Sequence, residues 1–238
     1  MGTVAKPVRL DRDAKRAALL SSPLFEAMKP DELDEVLKLS SERRVPRGAS
    51  LFQKGDAGSS MMAVLTGRVR VSSVSAEGKE ITLNVINPGE VFGEIALLDG
   101  KPRSADCSAI EETMLLVLER RHFLPFLHRN EDLYLRLIAV LCEKLRRTSM
   151  ALEELALFDL PARLARVLLK LAADYGRPVG KCVRIEWKIS QRDLSNLVAS
   201  SRESVNKQLK VWRDDGVVDL DGGYYVLRRP EELRVLVE

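Results

Sequence analysis

A long heptad repeat in the middle of the chain most constrains what this sequence can fold into. The segment from about 130 to 158 contains neither proline nor glycine, so it predicts one continuous helix. Its seam residues are spaced alternately by four and three positions: Tyr134, Ile138, Leu141, Leu145, Thr148, Leu152 and Leu155. Two helices pack along such a seam, and a second copy of the chain is the simplest partner. The alternative is an amphipathic helix that packs on its own domain.

The segment before this helix predicts an antiparallel β-barrel of the jelly-roll type. Short runs with strand character alternate with turns that contain glycine, as expected for a sandwich or barrel. The runs are Ser50–Gln53, Met61–Leu65, Val69–Val74, Ile81–Ile86 and Thr113–Leu118. Short helical patterns precede them, with breaks at Ser22-Pro23 and Pro30. We therefore predict a chain of the α+β class, with a sensing domain over residues 1–129 and a dimerisation helix over residues 130–159.

The last segment, residues 160–238, predicts a winged helix-turn-helix. Ser190 and Asp193 form the start of a first short helix, because a serine cap is followed by an acid three residues later. A tight connection at 199–201 leads to a second helix from Arg202 to Asp215. The apolar residues of that helix are Val205, Leu209 and Trp212. A hairpin with an Asp221-Gly222-Gly223 turn follows and would form the wing.

The polar face of the second helix fits the reading of bases in the major groove of DNA. Near the start of such a helix, Arg202 can donate to guanine and Glu203 can accept from cytosine. We expect base contacts from Arg202, Glu203 and Lys207. We expect phosphate contacts from Ser190, Gln191, Ser201 and Lys210. A solvated charged helix face is the alternative, but the short connection and the wing count against it.

The charge distribution agrees with a polyanionic partner at the C-terminal end. Residues from Leu160 onward include 15 Lys/Arg and 11 Asp/Glu, whereas the first 159 residues include 23 and 24. A small basic domain behind a near-neutral one is suited to nucleic acid. No run of eighteen apolar residues exists, and the N-terminal segment lacks the apolar core of a signal sequence. We therefore expect a cytoplasmic protein that does not contact a membrane.

The sequence offers no constellation typical of an enzyme or a metal site. Cys107, Cys142 and Cys182 lie far apart and form no CxxC pair, which argues against a cysteine zinc site and a disulfide framework. No Ser/His/Asp set, paired-histidine motif or P-loop is evident. We expect neither catalysis nor a bound metal.

The stretch from Pro88 to Ala105 contains a candidate site for a small anionic ligand. Gly93 lets the backbone approach a ligand, and a helical turn at Ile95–Leu98 would present N–H groups to an anion. Arg103 offers a planar fork for a phosphate, and Ser104 adds a hydroxyl donor. Glu94 can accept bonds from a sugar hydroxyl. Taken alone, these residues are better explained by a turn and a surface ion pair.

Three blocks in a fixed order resemble the cyclic-AMP receptor protein/fumarate-nitrate regulator superfamily. The blocks are Phe92–Leu97 with Arg103-Ser104-Ala105, Thr148-Ser149 before Leu155–Asp159, and Ser201–Val205. The resemblance covers roughly residues 20–228. In the cyclic-AMP branch it implies that Glu94 meets the ribose, that Arg103 and Ser104 meet the cyclic phosphate, and that Gly93 belongs to the same cassette. It also implies that Thr148 and Ser149 meet adenine, with Ser149 supplied by the other subunit.

Other branches of this superfamily fit the sequence less well. The iron–sulfur branch needs a cysteine cluster near the N-terminus, whereas the first cysteine here is Cys107. Haem-sensing relatives use particular Cys/His ligands, and His122 and His128 lie beyond the barrel segment. We therefore expect cyclic AMP as the ligand, with cyclic GMP as the alternative.

The chain departs from the cyclic-AMP activators in two regions. The turn between Glu94 and Arg103 is one residue shorter than in those activators. We expect this difference to alter how the pocket closes or how it discriminates against cyclic GMP. Asn206 and Lys207 stand where the resemblance places a glycine and an arginine, which bears on the inner bases of the DNA half-site.

Together these features predict a homodimeric transcription regulator that binds a pseudo-palindromic site on double-stranded DNA under the control of a cyclic nucleotide. RNA polymerase is a further expected partner, through the loop at 175–181. Two alternatives stay open: the same dimer responding to another ligand or to none, and a nucleotide-binding regulatory module without a DNA function. The helix-turn-helix argues against the second.

Overall fold

The computed structural model describes residues 11–237, which fall into two compact units. The first unit contains the chain up to Ser73 together with Leu83–Lys144. The second contains Val74–Thr82 and Leu145–Glu238. Residues 1–10, on which the expectation about a signal sequence rests, lie outside the described range. Within that range no helix is both long and apolar enough to cross a bilayer.

Residues 12–157 contain five helices and eight strands. The helices are α1 (Arg12–Leu20), α2 (Pro30–Leu39), α3 (Glu94–Asp99), α4 (Arg120–His128) and α5 (Glu131–Leu157). The strands are β1 (Ser40–Val45), β2 (Ser50–Phe52), β3 (Ser60–Thr66), β4 (Val69–Val74), β5 (Glu80–Ile86), β6 (Val91–Phe92), β7 (Asp106–Ala109) and β8 (Thr113–Glu119). They form two four-stranded sheets, ordered β1-β8-β3-β6 and β2-β7-β4-β5.

Strand β3 shows how these sheets build two cores. Side chains alternate across a strand, and β3 is buried on both faces. Met62 and Val64 join residues of both sheets in the core between them. Met61, Ala63 and Leu65 pack instead against the helices on the outer face of the first sheet. The predicted jelly-roll class is confirmed, although the sheets remain separate rather than closing into one hydrogen-bonded barrel.

Helix α5 carries two different apolar stripes. Leu133 and Leu137 are fully buried in the core that α1, α2 and α4 form with the sheet. The predicted seam runs directly beside this stripe. Its first residue, Tyr134, packs against the same core and is half-buried, as is Leu141, whereas the other apolar side chains of the seam are exposed on the single chain. The seam is therefore not used to pack the helix onto its own domain along most of its length.

The C-terminal part confirms the predicted winged helix-turn-helix. Helices α6 (Leu160–Tyr175), α7 (Gln191–Leu197) and α8 (Arg202–Asp214) precede a hairpin, and α9 (Pro230–Val235) follows it. The strands are β9 (Gly176–Val179), β10 (Cys182–Ile185), β11 (Val218–Asp221) and β12 (Tyr224–Leu227), in the sheet order β11-β12-β10-β9. The wing is the β11–β12 hairpin, which turns at Gly222 and Gly223, both with positive φ.

The segment 175–181 was predicted to be a loop, and this is wrong in part. Residues 176–179 form β9, which pairs antiparallel with β10 and turns back at Gly180. Pro178 suggested a loop because proline cannot donate to a sheet. However, β9 is an edge strand, where a missing donor on the open side is tolerated.

The turn between α7 and α8 contains an unusual backbone conformation. Ala199 follows the last turn of α7 with a φ of 50°, in the left-handed region where glycine is preferred. The Ser200 N–H donates to the Ser195 carbonyl at 3.0 Å, which closes the turn. The next helix starts at once, because the Ser201 side chain accepts from the Ser204 N–H at 3.0 Å.

Candidate functional site

Gly93 brings the start of α3 against the side chain of Arg103. Its φ is 77°, and a Cβ at this position would lie 2.6 Å from Nη1 of Arg103. Any larger residue would therefore displace the guanidinium. Gly58 has a similar role, since a Cβ there would lie 2.5 Å from the Ala96 Cβ and 2.9 Å from Nε of Arg103. The sequence did not identify Gly58.

The guanidinium of Arg103 is held in a fixed orientation inside the first unit. Its residue is only 6% exposed. Nη1 donates to the carbonyls of Ser60 at 2.8 Å and Gly93 at 2.9 Å, and Nη2 donates to the Ser60 hydroxyl at 3.1 Å. The guanidinium also lies 4.3 Å from the ring centre of Phe52. Its Nε is buried and has no hydrogen-bond partner among the described residues.

Burial lowers the pKa of Arg103 from its ordinary value, because removal from water disfavours the charged form. The electrostatic effect of nearby Glu94, Asp56 and Glu119 raises the pKa of Arg103 and so partly offsets the burial. The guanidinium remains a cation at neutral pH, since its ordinary pKa is so high.

Glu94, the first residue of α3, is a buried carboxylate with one partner missing. It is 2% exposed, and its Oε1 accepts from the ammonium of Lys144 at 2.9 Å. Lys144 also donates to the Val91 carbonyl at 2.8 Å. Oε2 of Glu94 is buried and has no hydrogen-bond partner among the described residues. A buried carboxylate oxygen without a donor is costly, so this atom is suited to accept from a ligand.

Sequence reasoning missed Lys144. The residue lies 50 positions after Glu94, and nothing in the spacing of the two residues predicts that they meet. Its position four residues before Thr148, on the same face of the long helix, is the one sequence feature that could have pointed to Lys144 as a residue of the site.

The structure brings together some of the predicted ligand residues. Gly93 and Arg103 are in contact, and Glu94 lies directly after Gly93. Ser104 is exposed beside Arg103 in the chain. Thr148 and Ser149 are exposed on α5 and belong to the second unit. The ligand roles of these residues remain predictions.

Cys107 lies under this site and should be chemically inert in the folded protein. Burial raises the pKa of its thiol to about 12, and Arg103 opposes this only partly. Such a pKa leaves only about one thiol in ten thousand ionised at pH 8. We expect iodoacetamide to modify Cys107 far more slowly than the exposed Cys142, as read by peptide mass spectrometry. Equal rates in native protein would contradict this, and unfolding in urea should equalise them.

In the second unit, helix α8 presents the predicted base-contacting residues to solvent. Arg202, Glu203 and Lys207 are exposed, and so is Lys210. The opposite face is buried through Val205, Leu209 and Trp212. Asn206 is half-buried, and its Oδ1 has no hydrogen-bond partner among the described residues.

The predicted phosphate-contacting residues lie at the starts of the two helices. Ser190 caps α7 by accepting from the Asp193 N–H at 3.0 Å, and its hydroxyl donates to the Asp193 carboxylate at 2.6 Å. Gln191 is half-buried, and Ser201 is exposed as the cap of α8. These positions leave helix N-terminal amides near the surface, where phosphates bind readily.

A cleft of about 480 Å³ joins these helix starts to the wing. Three of its lining residues are cations, and none is a carboxylate. The lining residues are Lys188, Ile189, Ser190, Gln191, Arg192, Arg202, Leu220, Gly223 and Tyr225. Thus Arg202, Ser190 and Gln191 border one positively charged cleft, whereas Glu203, Ser201, Lys207 and Lys210 do not line it. In the part of the chain that the structure describes, no group of three or more His, Cys, Asp or Glu side chains could hold a metal ion.

Comparison with known proteins identifies both parts of the chain. The cyclic nucleotide-binding domain family matches residues 42–130, and the Crp-like helix-turn-helix domain family matches residues 162–236. The cyclic AMP receptor protein of Thermus thermophilus is 35% identical over 207 residues, which are 87% of this chain and 93% of that protein. The CRP-like cAMP-activated global transcriptional regulator of Mycobacterium tuberculosis is 28% identical over 90% of this chain and 96% of that protein.

Solved structures agree with this assignment. The catabolite activator protein of Thermus thermophilus is 34% identical and has a TM-score of 0.53, covering 91% of this chain and 98% of that one. The c-di-GMP responsive regulator CLP of Xanthomonas campestris has a TM-score of 0.76 at 21% identity, covering 84% and 99%, and therefore shows a shared fold alone. Because both domain families match in order and a relative above 30% identity spans nearly the whole chain, this protein belongs to the cyclic-AMP receptor protein/fumarate-nitrate regulator superfamily of DNA-binding transcription regulators.

Proposed function

We propose that this protein is a homodimeric transcription regulator whose affinity for DNA is controlled by cyclic AMP. The observation that carries the ligand part is the buried pair of opposite charges beside α3. Arg103 and Glu94 are both nearly inaccessible, and each keeps one buried atom, Nε and Oε2 respectively, without a hydrogen-bond partner among residues 11–237. A cyclic nucleotide offers an anionic phosphate to the guanidinium and a ribose hydroxyl to the carboxylate. The names of the relatives in Thermus and Mycobacterium support cyclic AMP in particular.

The proposed roles in the ligand site follow the chemistry of each group. Arg103 and Ser104 bind the cyclic phosphate, Glu94 binds the ribose, and Gly93 allows the close approach. Thr148 and Ser149 bind adenine from the dimer helices. Titration of the purified protein with cyclic AMP and with cyclic GMP, with operator binding measured at each point, tests the ligand. A DNA affinity that neither nucleotide changes would favour the same dimer acting with another ligand or with none.

The proposed dimer rests on the exposed seam of α5. A run of apolar side chains at heptad spacing is expensive to leave in water, and a second α5 would cover it. Two copies would place two α8 helices on successive turns of a duplex, about 34 Å apart, as a pseudo-palindromic site requires. We further propose that the β9–β10 hairpin is the surface for RNA polymerase and that the protein acts in the cytoplasm.

The proposed DNA contacts separate into base reading and phosphate positioning. Arg202, Glu203 and Lys207 read bases, because they are exposed near the start of α8. Ser190, Gln191, Ser201 and Lys210 bind the phosphate backbone. Phosphate contacts set affinity and its salt dependence, whereas base contacts set sequence preference.

Substitution of Arg202 and Lys210 should distinguish these two roles. Arg202→Ala should cost roughly 1–3 kcal/mol on the preferred operator and remove discrimination at one position per half-site. Lys210→Ala should weaken binding to all duplexes alike and reduce the salt slope by about one for each lost phosphate contact. Competition on a randomised half-site library at two salt concentrations measures both effects. Full affinity and unchanged preference in Arg202→Ala would mean that α8 does not read bases.

A further inference from the structure

The wing carries an aromatic ring that contacts two cations. Tyr224 is the first residue of β12, directly after the glycine turn, and is half-buried. The Arg184 guanidinium lies 4.2 Å from its ring centre, and the Lys188 ammonium lies 4.8 Å from it. Both distances are within the range in which a cation is attracted to an aromatic face.

These two cations differ in their other partners. Arg184 pairs with Glu186 at 3.5 Å and with Asp221 at 3.9 Å, so acidic neighbours already balance its charge. Lys188 is exposed and has no carboxylate partner among residues 11–237. Its positive charge therefore remains available for an anion from outside the chain.

The Lys188 side chain lies beside the glycine turn of the wing. Gly223 has a φ of 88°, and a Cβ there would lie 3.8 Å from Cδ and Cε of Lys188 and 4.0 Å from Nζ. The lysine thus runs along the turn on one side and contacts the ring of Tyr224 on another. A lysine fixed in this way has fewer conformations than a free surface lysine, which loses substantial side-chain entropy when it is immobilised.

Lys188 also borders the cation-lined cleft between the wing and α8. Arg192 and Arg202 line the same cleft, and no carboxylate lines it. An anionic chain that followed the cleft from α8 to the wing would meet three cations in succession. The phosphodiester backbone of DNA is such a chain, since it carries a regular array of charges.

We propose that Tyr224 is a positioning residue that holds Lys188 against the wing turn, so that its ammonium binds a backbone phosphate of the DNA. This inference rests on the proposed DNA-binding function. Tyr224 acts through the lysine rather than by its own contact with DNA. Substitution of Tyr224 should therefore change the affinity for DNA and the salt dependence of binding. It should not change the preference for particular bases, because a phosphate carries no sequence information.

A double-mutant cycle on the full-length protein tests this proposal. Tyr224→Leu removes the ring face but keeps apolar bulk, Tyr224→Phe keeps the ring, and Lys188→Gln removes the charge. With cyclic AMP present, we expect Tyr224→Leu to weaken operator binding roughly three- to tenfold and Tyr224→Phe to change it less than about twofold. Lys188→Gln should reduce the salt slope by about one. In the Lys188→Gln background, Tyr224→Leu should have almost no further effect, and base preference should stay unchanged throughout.

The proposal is overturned if Tyr224→Leu weakens binding by the same factor in both backgrounds, or if it has no effect with Lys188 present. NMR of the free protein provides a measurement that needs neither DNA nor a stable Tyr224→Leu variant. The ε-protons of Lys188 should show an upfield ring-current shift in wild type and in Tyr224→Phe. Resonances at random-coil positions would exclude the contact. If wild-type protein binds no duplex with or without nucleotide, the proposed function fails instead, and the NMR result still decides whether the ring holds the lysine.

Discussion

Replacement of Leu145 and Leu152 by glutamate should convert the protein from a dimer to a monomer. Both side chains are on the seam, and they are 67% and 68% exposed on the single chain, so neither contributes to the core of its own domain. Burial of a leucine is worth roughly 1.5–3 kcal/mol, so two from each protomer should contribute roughly 6–12 kcal/mol to association. The glutamates would also repel one another across the axis. Sedimentation equilibrium over a range of concentrations measures the change.

A matched control is available on the same helix. Met150 and Leu157 are also exposed apolar residues, but they lie on the face of α5 away from the seam. The double variant Met150→Glu/Leu157→Glu makes the same chemical change and should leave the dimer intact. Dimers of wild-type affinity in Leu145→Glu/Leu152→Glu would show that the seam is not the interface. Loss of the dimer in both pairs would point to a general weakening of the helix.

Arg103→Ala should largely abolish cyclic-nucleotide binding. A charge-assisted bond to the phosphate is worth about 1.5–3 kcal/mol, which corresponds to a loss of roughly 10- to 150-fold in affinity. Arg103→Lys should lose most of this as well, because an ammonium cannot reproduce the planar fork. Isothermal titration calorimetry with cyclic AMP measures both variants. Wild-type affinity in Arg103→Ala would remove this residue from the site.

The internal contacts of Arg103 make a stability control necessary. Its removal takes one donor from each of the Ser60 and Gly93 carbonyls, so Arg103→Ala should also lower the Tm. Calorimetry is therefore carried out well below the Tm of the variant, after circular dichroism has shown that it is folded. Lys101→Ala removes an exposed cation two residues away and should change neither affinity nor stability.

The parts of the fold that the sequence predicts well are those with strong local signals. The helix-turn-helix has serine caps at Ser190 and Ser201 and a diglycine turn in the wing, and each of these acts within a few residues. The long helix is equally clear, because its heptad pattern is uninterrupted. Strands β1, β6 and β7 escaped prediction. The first has four exposed positions in six, and the second has only two residues, so pairing with neighbours far along the chain decides their structure.

The candidate ligand site shows the same division. Glu94 and Arg103 were predicted from a local motif, and the structure shows that both are buried. The groups that hold these two side chains were not predicted. Lys144 contacts Glu94, and Ser60 and Phe52 contact Arg103, over separations of 43 to 51 residues along the chain. Such contacts depend on the packing of the whole domain. The same holds for Tyr224 and Lys188, because the pairing of β12 with β10 brings the wing beside the segment that follows β10.

The two stripes of α5 give this helix a gradient of stability along its length. Its N-terminal half is anchored by Leu133 and Leu137, so opening it requires disruption of the core of the first unit. Beyond Lys144 the helix has no buried side chain in the described chain, and its contacts with α6 are partly exposed ones such as Glu154–Arg166, so local opening of this half costs less on an isolated protomer. Association would therefore do more than join two copies. It would also order the helical segment that carries Thr148 and Ser149, the two residues proposed to bind adenine.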